Sequence, residues 1–86
     1  MITVYTKPDC FKCDKTREKF EAAGLAFNVV DVTENAAALA YVKEDLGYFE
    51  APVVVVSEHD HWSGLRPDCI IRVIAGGGTD AETVEA

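Results

Sequence analysis

The chain has 86 residues, 49% of them hydrophobic, which suits one small globular domain and leaves no room for a second. Fifteen acidic against eight basic side chains give a net charge of −7, which argues against nucleic acid or an anionic membrane as a partner. No apolar run approaches the length of a membrane span, and the sequence opens directly on a strand pattern rather than a leader, so the expected compartment is the cytoplasm.

Met1 to Thr6 reads as a buried strand that ends at Lys7-Pro8. Pro8 and Asp9 shape a turn, and Cys10-Phe11-Lys12-Cys13 follows at the start of a helical pattern running from Phe11 to Ala23. Cys13, Thr16 or Arg17, Phe20 and Ala23 fall at helical spacing and make its inner stripe, and Gly24 ends it. Two cysteines at i and i+3 on a first helical turn share a face and are close enough to form a disulfide. The first stands at the helix N-terminus, where unpaired N–H groups and the helix dipole favour a thiolate; the second is carried inward and attacks the mixed disulfide that the first one forms. In a cytoplasmic chain such a pair is catalytic more often than structural, and the odd total of three cysteines does not suit a disulfide framework. Lys7, Lys12, Lys15, Arg17 and Lys19 crowd around the pair and are expected to raise the local potential.

The pair has two other conceivable uses. Half of a zinc site would need ligands from Cys69, His59 and His61; the two histidines could share a strand face, but the interval back to Cys13 matches no common finger spacing, and no metal is assigned. Two unrelated buried cysteines fit poorly with a strand before them, a helix after them and lysines around them.

Leu25 to Asp31 holds a second strand, which makes a βαβ unit with parallel strands. Thr33 is placed to cap a second helix, with Leu39, Val42 and Leu46 on its inner face and Gly47 at its end. After a loop at Tyr48-Phe49-Glu50-Ala51, Pro52 opens the strongly β-branched run Val53 to Val56, a central strand. Ser57 to Asp60 turns, and His61-Trp62 belong to a short antiparallel fourth strand. Ser63-Gly64-Leu65-Arg66 is a loop; Pro67 and Asp68 open a short apolar third helix ending at Ala75. The order is βαβαββα: a redox domain over 1–75 and an acidic flexible tail over 76–86.

Three separated blocks carry a family resemblance: Tyr5-Thr6-Lys7-Pro8-x-Cys10-x-x-Cys13, Ala51-Pro52-Val53-Val54, and Trp62-Ser63-Gly64-Leu65-Arg66-Pro67-Asp68. Together they resemble the glutaredoxin-like redoxins of the thioredoxin superfamily, and most closely the NrdH-redoxins. The first block marks only the superfamily; the third is the specific one. The resemblance implies an α/β thioredoxin/glutaredoxin fold with a four-stranded mixed sheet and three helices. It also implies a dithiol carrier, with no cofactor beyond its own Cys10–Cys13 disulfide, moving electrons from thioredoxin reductase to the large subunit of a class Ib ribonucleotide reductase. A monomer is expected.

Cys10 is then the nucleophile and Cys13 the resolving thiol. Pro52 read from the residues alone is a strand-start proline in trans; the resemblance implies a cis Ala51–Pro52 bond facing the cysteines, with Ala51 backbone groups turned toward an incoming chain. Lys7, Phe11, Lys12, Ala51, Pro52 and Val53 are expected to meet the partner, and so are Trp62, Ser63, Gly64, Leu65, Arg66 and Pro67 unless that block is a structural loop. Arg66 has Asp60 or Asp68 as its surface partner, and Cys69 reads as a small buried side chain. Two departures from the pattern stand at Phe11-Lys12, where Val-Gln or Met-Gln is usual, and at Leu65, where phenylalanine is common. The alternatives are a general protein disulfide reductase and a glutathione-dependent glutaredoxin. The glutaredoxin class usually shows Pro-Tyr between its cysteines, Thr-Val before the proline and an Asp-Asp pair after the fourth strand; none of these stands here.

Overall fold

A computed structural model describes residues 1–76. Its elements are β1 (Ile2–Thr6), α1 (Phe11–Ala22), β2 (Phe27–Asp31), α2 (Ala36–Ala40), β3 (Val53–Ser57), β4 (Asp60–Ser63) and α3 (Pro67–Ala75), and α2 continues into a wider π-helical turn over Tyr41–Asp45. The strands form one sheet in the order β2-β1-β3-β4. β1 runs parallel to β2, with Ile2 opposite Phe27 and Thr6 opposite Asp31, while β3 lies antiparallel to both β1 and β4. This is the mixed sheet and the βαβαββα order read from the sequence.

Alternation along β1 explains the layers. Ile2, Val4 and Thr6 point to one buried face, and Thr3 and Tyr5 to the other. Register aligns Val4, Val54 and Trp62 in one row across three strands. Phe20 from α1 and Ile70 and Val73 from α3 close over that face in a single core cluster. Phe20, Val4, Val54 and Ile70 are fully buried, each large side chain contributing roughly 1.5–3 kcal/mol by leaving water. On the opposite face the chain from α2 onward packs near Tyr5, with the Tyr5 and Tyr41 rings 5.9 Å apart. The chain that leaves β1 enters α1 at one end of the sheet, beside the chain that enters β3. That common end is where Cys10 stands.

Several local expectations are corrected. Thr33 does not cap the second helix: the Asp31 carboxylate holds both its N–H (2.8 Å) and its hydroxyl (2.6 Å), and Asn35 is the cap, accepting from the Ala38 N–H at 3.0 Å. Leu39 is partly exposed rather than inward. The helix changes pitch after Ala40, with the Leu46 N–H reaching the Tyr41 carbonyl at 3.1 Å, and this rotates Val42, not Leu39, onto the sheet. Ala23 is exposed because it is the C-cap, and Gly24 beyond it takes φ +76°. Met1 lies outside the strand and is exposed, and Cys69 is only half-buried. Gly76 caps α3; the remainder of the acidic tail expected over 76–86 lies outside the described residues. Among the described residues no helix is long and apolar enough to cross a membrane.

Candidate redox site

The site is built by the turn between β1 and α1. Asp9 takes φ +56°, a left-handed backbone that aspartate tolerates better than most residues, and this swings Cys10 to the helix N-cap. Cys10 has extended backbone angles, and its Sγ accepts a hydrogen bond from the Cys13 N–H at 3.1 Å. A sulfur that receives an otherwise unpaired N–H at a helix N-terminus is held where negative charge is stabilised, by the hydrogen bond and by the helix dipole. Cys10 and Cys13 are joined as a disulfide with their Cα atoms 5.2 Å apart. Cys10 is 7% exposed and Cys13 1%, so Cys10 is the more accessible of the pair. Behind them the buried Thr16 hydroxyl donates to the Lys12 carbonyl at 2.9 Å.

The second wall comes from the loop before β3. The Ala51–Pro52 bond is cis, as the resemblance implied and the residues alone did not. The Pro52 carbonyl accepts from the Gly64 N–H at 2.8 Å. Gly64 sits at φ +82°, a backbone angle that favours glycine, and a Cβ there would lie 3.2 Å from the end of the flexible Glu50 side chain, which would have to shift slightly. This single bond ties the block after Trp62 to the loop that carries Ala51.

A groove of about 370 Å³ brings Cys10 together with Lys7, Phe11, Lys12 and Ala51, all predicted from the sequence. Phe11 is 67% exposed at its edge, with the Lys15 ammonium 5.5 Å from its ring centre. Two further residues of the groove, Phe49 and Glu50, were missed. Phe49 is 81% exposed; an aromatic in a loop next to Ala51 was the available signal. Glu50 pairs with Lys12 at 3.0 Å across 38 residues of sequence, and no local spacing announces such a contact.

The other predicted contact residues stand elsewhere. Trp62 is corrected: it is a core residue, 4% exposed, because its place in β4 turns it onto the face covered by α1 and α3. Its indole N–H is buried without a partner among the described residues, and the Arg72 guanidinium lies 5.9 Å from its ring. Pro52, Val53 and Gly64 are likewise buried, and Leu65 packs half-buried against the core. Ser63 is half-buried and Pro67 is exposed at the first position of α3. Arg66 is exposed and bonds Asp68 at 2.9 and 3.2 Å, while Asp60 goes to Arg72 at 2.8 and 2.9 Å. The Arg66 hydrogen bonds hold the Asp68 carboxyl below its ordinary value and the guanidinium above its own. The expected basic cluster is also corrected. Lys12 is held by Glu50, Lys15 by Glu18 and Arg17 by Asp14, so their charges are locally balanced; Lys7 makes no ion pair among the described residues.

Among the described residues no group of three or more histidine, cysteine and carboxylate side chains is placed to hold a metal. His59 lies in the β3–β4 turn, not on a strand face shared with His61.

Known proteins resemble this chain in sequence, and one solved structure among them also in fold. The glutaredoxin family model matches residues 2–62. The Gene 56 protein of Mycobacterium phage L5 is 41% identical over 73 residues, covering 85% of this chain and 71% of that protein. The glutaredoxin-like protein NrdH of Escherichia coli K12 is 35% identical over 72 residues, covering 84% of this chain and 86% of that protein. The solved structure of the E. coli glutaredoxin-like protein NrdH-redoxin, a protein described by its thioredoxin-like activity profile, superposes with a TM-score of 0.77 at 35% identity, over 84% of this chain and 92% of that one. A paired Cys10–Cys13 site on this fold is that of a thiol–disulfide oxidoreductase, and the chain belongs to the glutaredoxin family, among its NrdH-type glutaredoxin-like redoxins.

Proposed function

We propose that this protein is a cytoplasmic dithiol carrier that takes electrons from thioredoxin reductase and passes them to the large subunit of a class Ib ribonucleotide reductase. The observation that carries the reading is the position of Cys10: its Sγ receives the Cys13 N–H at the start of α1 and opens into the groove beside Ala51. The thioredoxin-like activity profile of the similar E. coli NrdH-redoxin supports thioredoxin reductase over glutathione as electron source.

The reaction starts from the reduced pair. Cys10, as thiolate, attacks one sulfur of the target disulfide; the target S–S bond breaks, a Cys10–target bond forms, and the displaced target sulfur takes up a proton. Cys13 loses its proton and attacks Cys10 Sγ. The Cys10–Cys13 bond closes and the second target sulfur leaves as a thiol. The protein gives up two electrons and the Cys13 proton; the other proton the target takes up comes from solvent and replaces the one Cys10 released on becoming a thiolate. The deeper burial of Cys13 supports this order. Lys7, Phe11, Lys12 and Ala51 are the residues that an incoming segment would meet, while the Gly64–Pro52 hydrogen bond ties the block after Trp62 to the loop that carries Ala51.

A coupled NADPH assay on a disulfide substrate tests the reading, with thioredoxin reductase in one arm and glutathione with glutathione reductase in the other. Turnover confined to the first arm is expected. Turnover confined to the second makes the protein a glutathione-dependent glutaredoxin, and equal turnover in both makes it a general disulfide reductase.

A further inference from the structure

The groove at Cys10 continues into a second one of about 300 Å³ beneath the chain after α2, with Tyr5, Leu39, Val42 and Lys43 on its walls and Lys7, Phe49, Glu50 and Ala51 shared between the two. Its charge is out of character with the rest of the protein. The chain holds fifteen carboxylate residues and eight basic ones, yet the two grooves together are lined by three lysines, Lys7, Lys12 and Lys43, and one carboxylate, Glu50. Among the described residues neither Lys7 nor Lys43 makes an ion pair, and Lys12 is held by Glu50 at 3.0 Å. Two exposed or partly exposed apolar side chains, Phe49 and Leu39, flank the lysines.

We propose that this double groove selects a disulfide-bearing segment that is both apolar and acidic, with Lys7 and Lys43 as the two carboxylate anchors and Glu50 holding Lys12 in reserve. The proposal rests on the dithiol-carrier reading and names the class of target that the same site accepts. The protein's net negative charge does not cancel the effect. At about 0.1 M salt charges are screened beyond roughly 10 Å, and the molecule extends 35 × 25 × 19 Å, so a segment in the groove feels its lining far more than the distant surface. The Lys12–Glu50 pair is half-exposed on both sides, and such a pair is weak enough to exchange partners. Glu50 therefore sets how much positive charge the groove presents.

The test uses the pre-reduced full chain and three synthetic peptides, each closed by an internal disulfide between two phenylalanines and flanked by two glutamates, two glutamines or two lysines. Single-turnover reduction is followed by acid quench and chromatography, and each variant's rates are referred to its own rate on the glutamine peptide. For the unsubstituted protein the glutamate peptide is expected to react roughly fivefold faster than the lysine peptide, the scale of two surface ion pairs, with the gap closing in high salt. Lys7→Gln combined with Lys43→Gln should bring that ratio to about one, and Glu50→Gln should raise it about twofold by freeing Lys12. Equal rates on the acidic and basic peptides, or an acidic preference that survives the double lysine substitution, overturn the proposal; a Glu50→Gln ratio no higher than the parent's overturns the part given to Glu50. Failure to reduce even the glutamine peptide would sink the dithiol reading itself instead.

Discussion

The Tyr48 hydroxyl lies 2.8 Å from His61 Nδ1 and 3.2 Å from the His61 carbonyl oxygen, joining the loop that carries Glu50 and Ala51 to β4. Both groups are half-buried. Tyr48→Phe keeps the ring and removes the hydroxyl, so the His61 groups lose a partner. The cost should be about 1 kcal/mol, which for a domain of this size lowers Tm by about 4–8 °C. An unchanged melting curve would show that water replaces the hydroxyl without loss.

Cys10→Ser should abolish disulfide reduction, because the one sulfur that reaches the groove is gone. Cys13→Ser should keep the first step and lose the second, accumulating a mixed disulfide with the target through Cys10. Mass spectrometry of non-reduced samples checks both. Multi-turnover reduction by Cys10→Ser would sink this order of attack.

Phe20 is wholly buried between α1 and the sheet, its ring 5.8 Å from that of Phe27. Phe20→Ala should cost about 3–5 kcal/mol, a large share of the roughly 5–15 kcal/mol that holds a typical domain together. Denaturant unfolding should show a midpoint shifted far toward zero or no folded baseline. A loss under about 1 kcal/mol would mean the core refills the space.

Alkaline stability should depend on Tyr5. Burial, and secondarily the neighbouring Tyr41, push its hydroxyl above the ordinary tyrosine value. The folded state then holds the proton more tightly than the unfolded chain. Its contribution is complete below the unfolded value of about 10 and is lost as pH rises through the higher folded value. Tyr5→Phe has no proton to lose there, so its stability should fall less steeply above about pH 10. Parallel slopes for parent and variant would remove Tyr5 as the cause.

Asp68 works in the opposite sense. The Arg66 hydrogen bonds lower its value, so its contribution is present above the unfolded value of about 3.9 and is lost as pH falls through the lower folded one. Asp68→Asn should flatten the acid limb only slightly, since the pair is solvent-exposed and screened. Acid unfolding of the two proteins, measured side by side, checks this.

The sequence by itself determined the element order, the parallel βαβ unit and the pairing of Cys10 with Cys13, because these rest on short-range periodicity and on spacing within one helical turn. It also placed Pro67 and Asp68 at the start of α3. Only the tertiary structure decided which distant residues complete the groove around Cys10 and brace it. Glu50 reaches Lys12 across 38 residues, Gly64 bonds Pro52, and Lys43 joins Lys7 after the helix widens at Tyr41, none of which any local pattern encodes. The same limit explains Trp62. Its motif drew it toward the partner surface, but the strand register set its row with Val4 and Val54 and buried it, because in a sheet one residue of register decides which face a side chain takes.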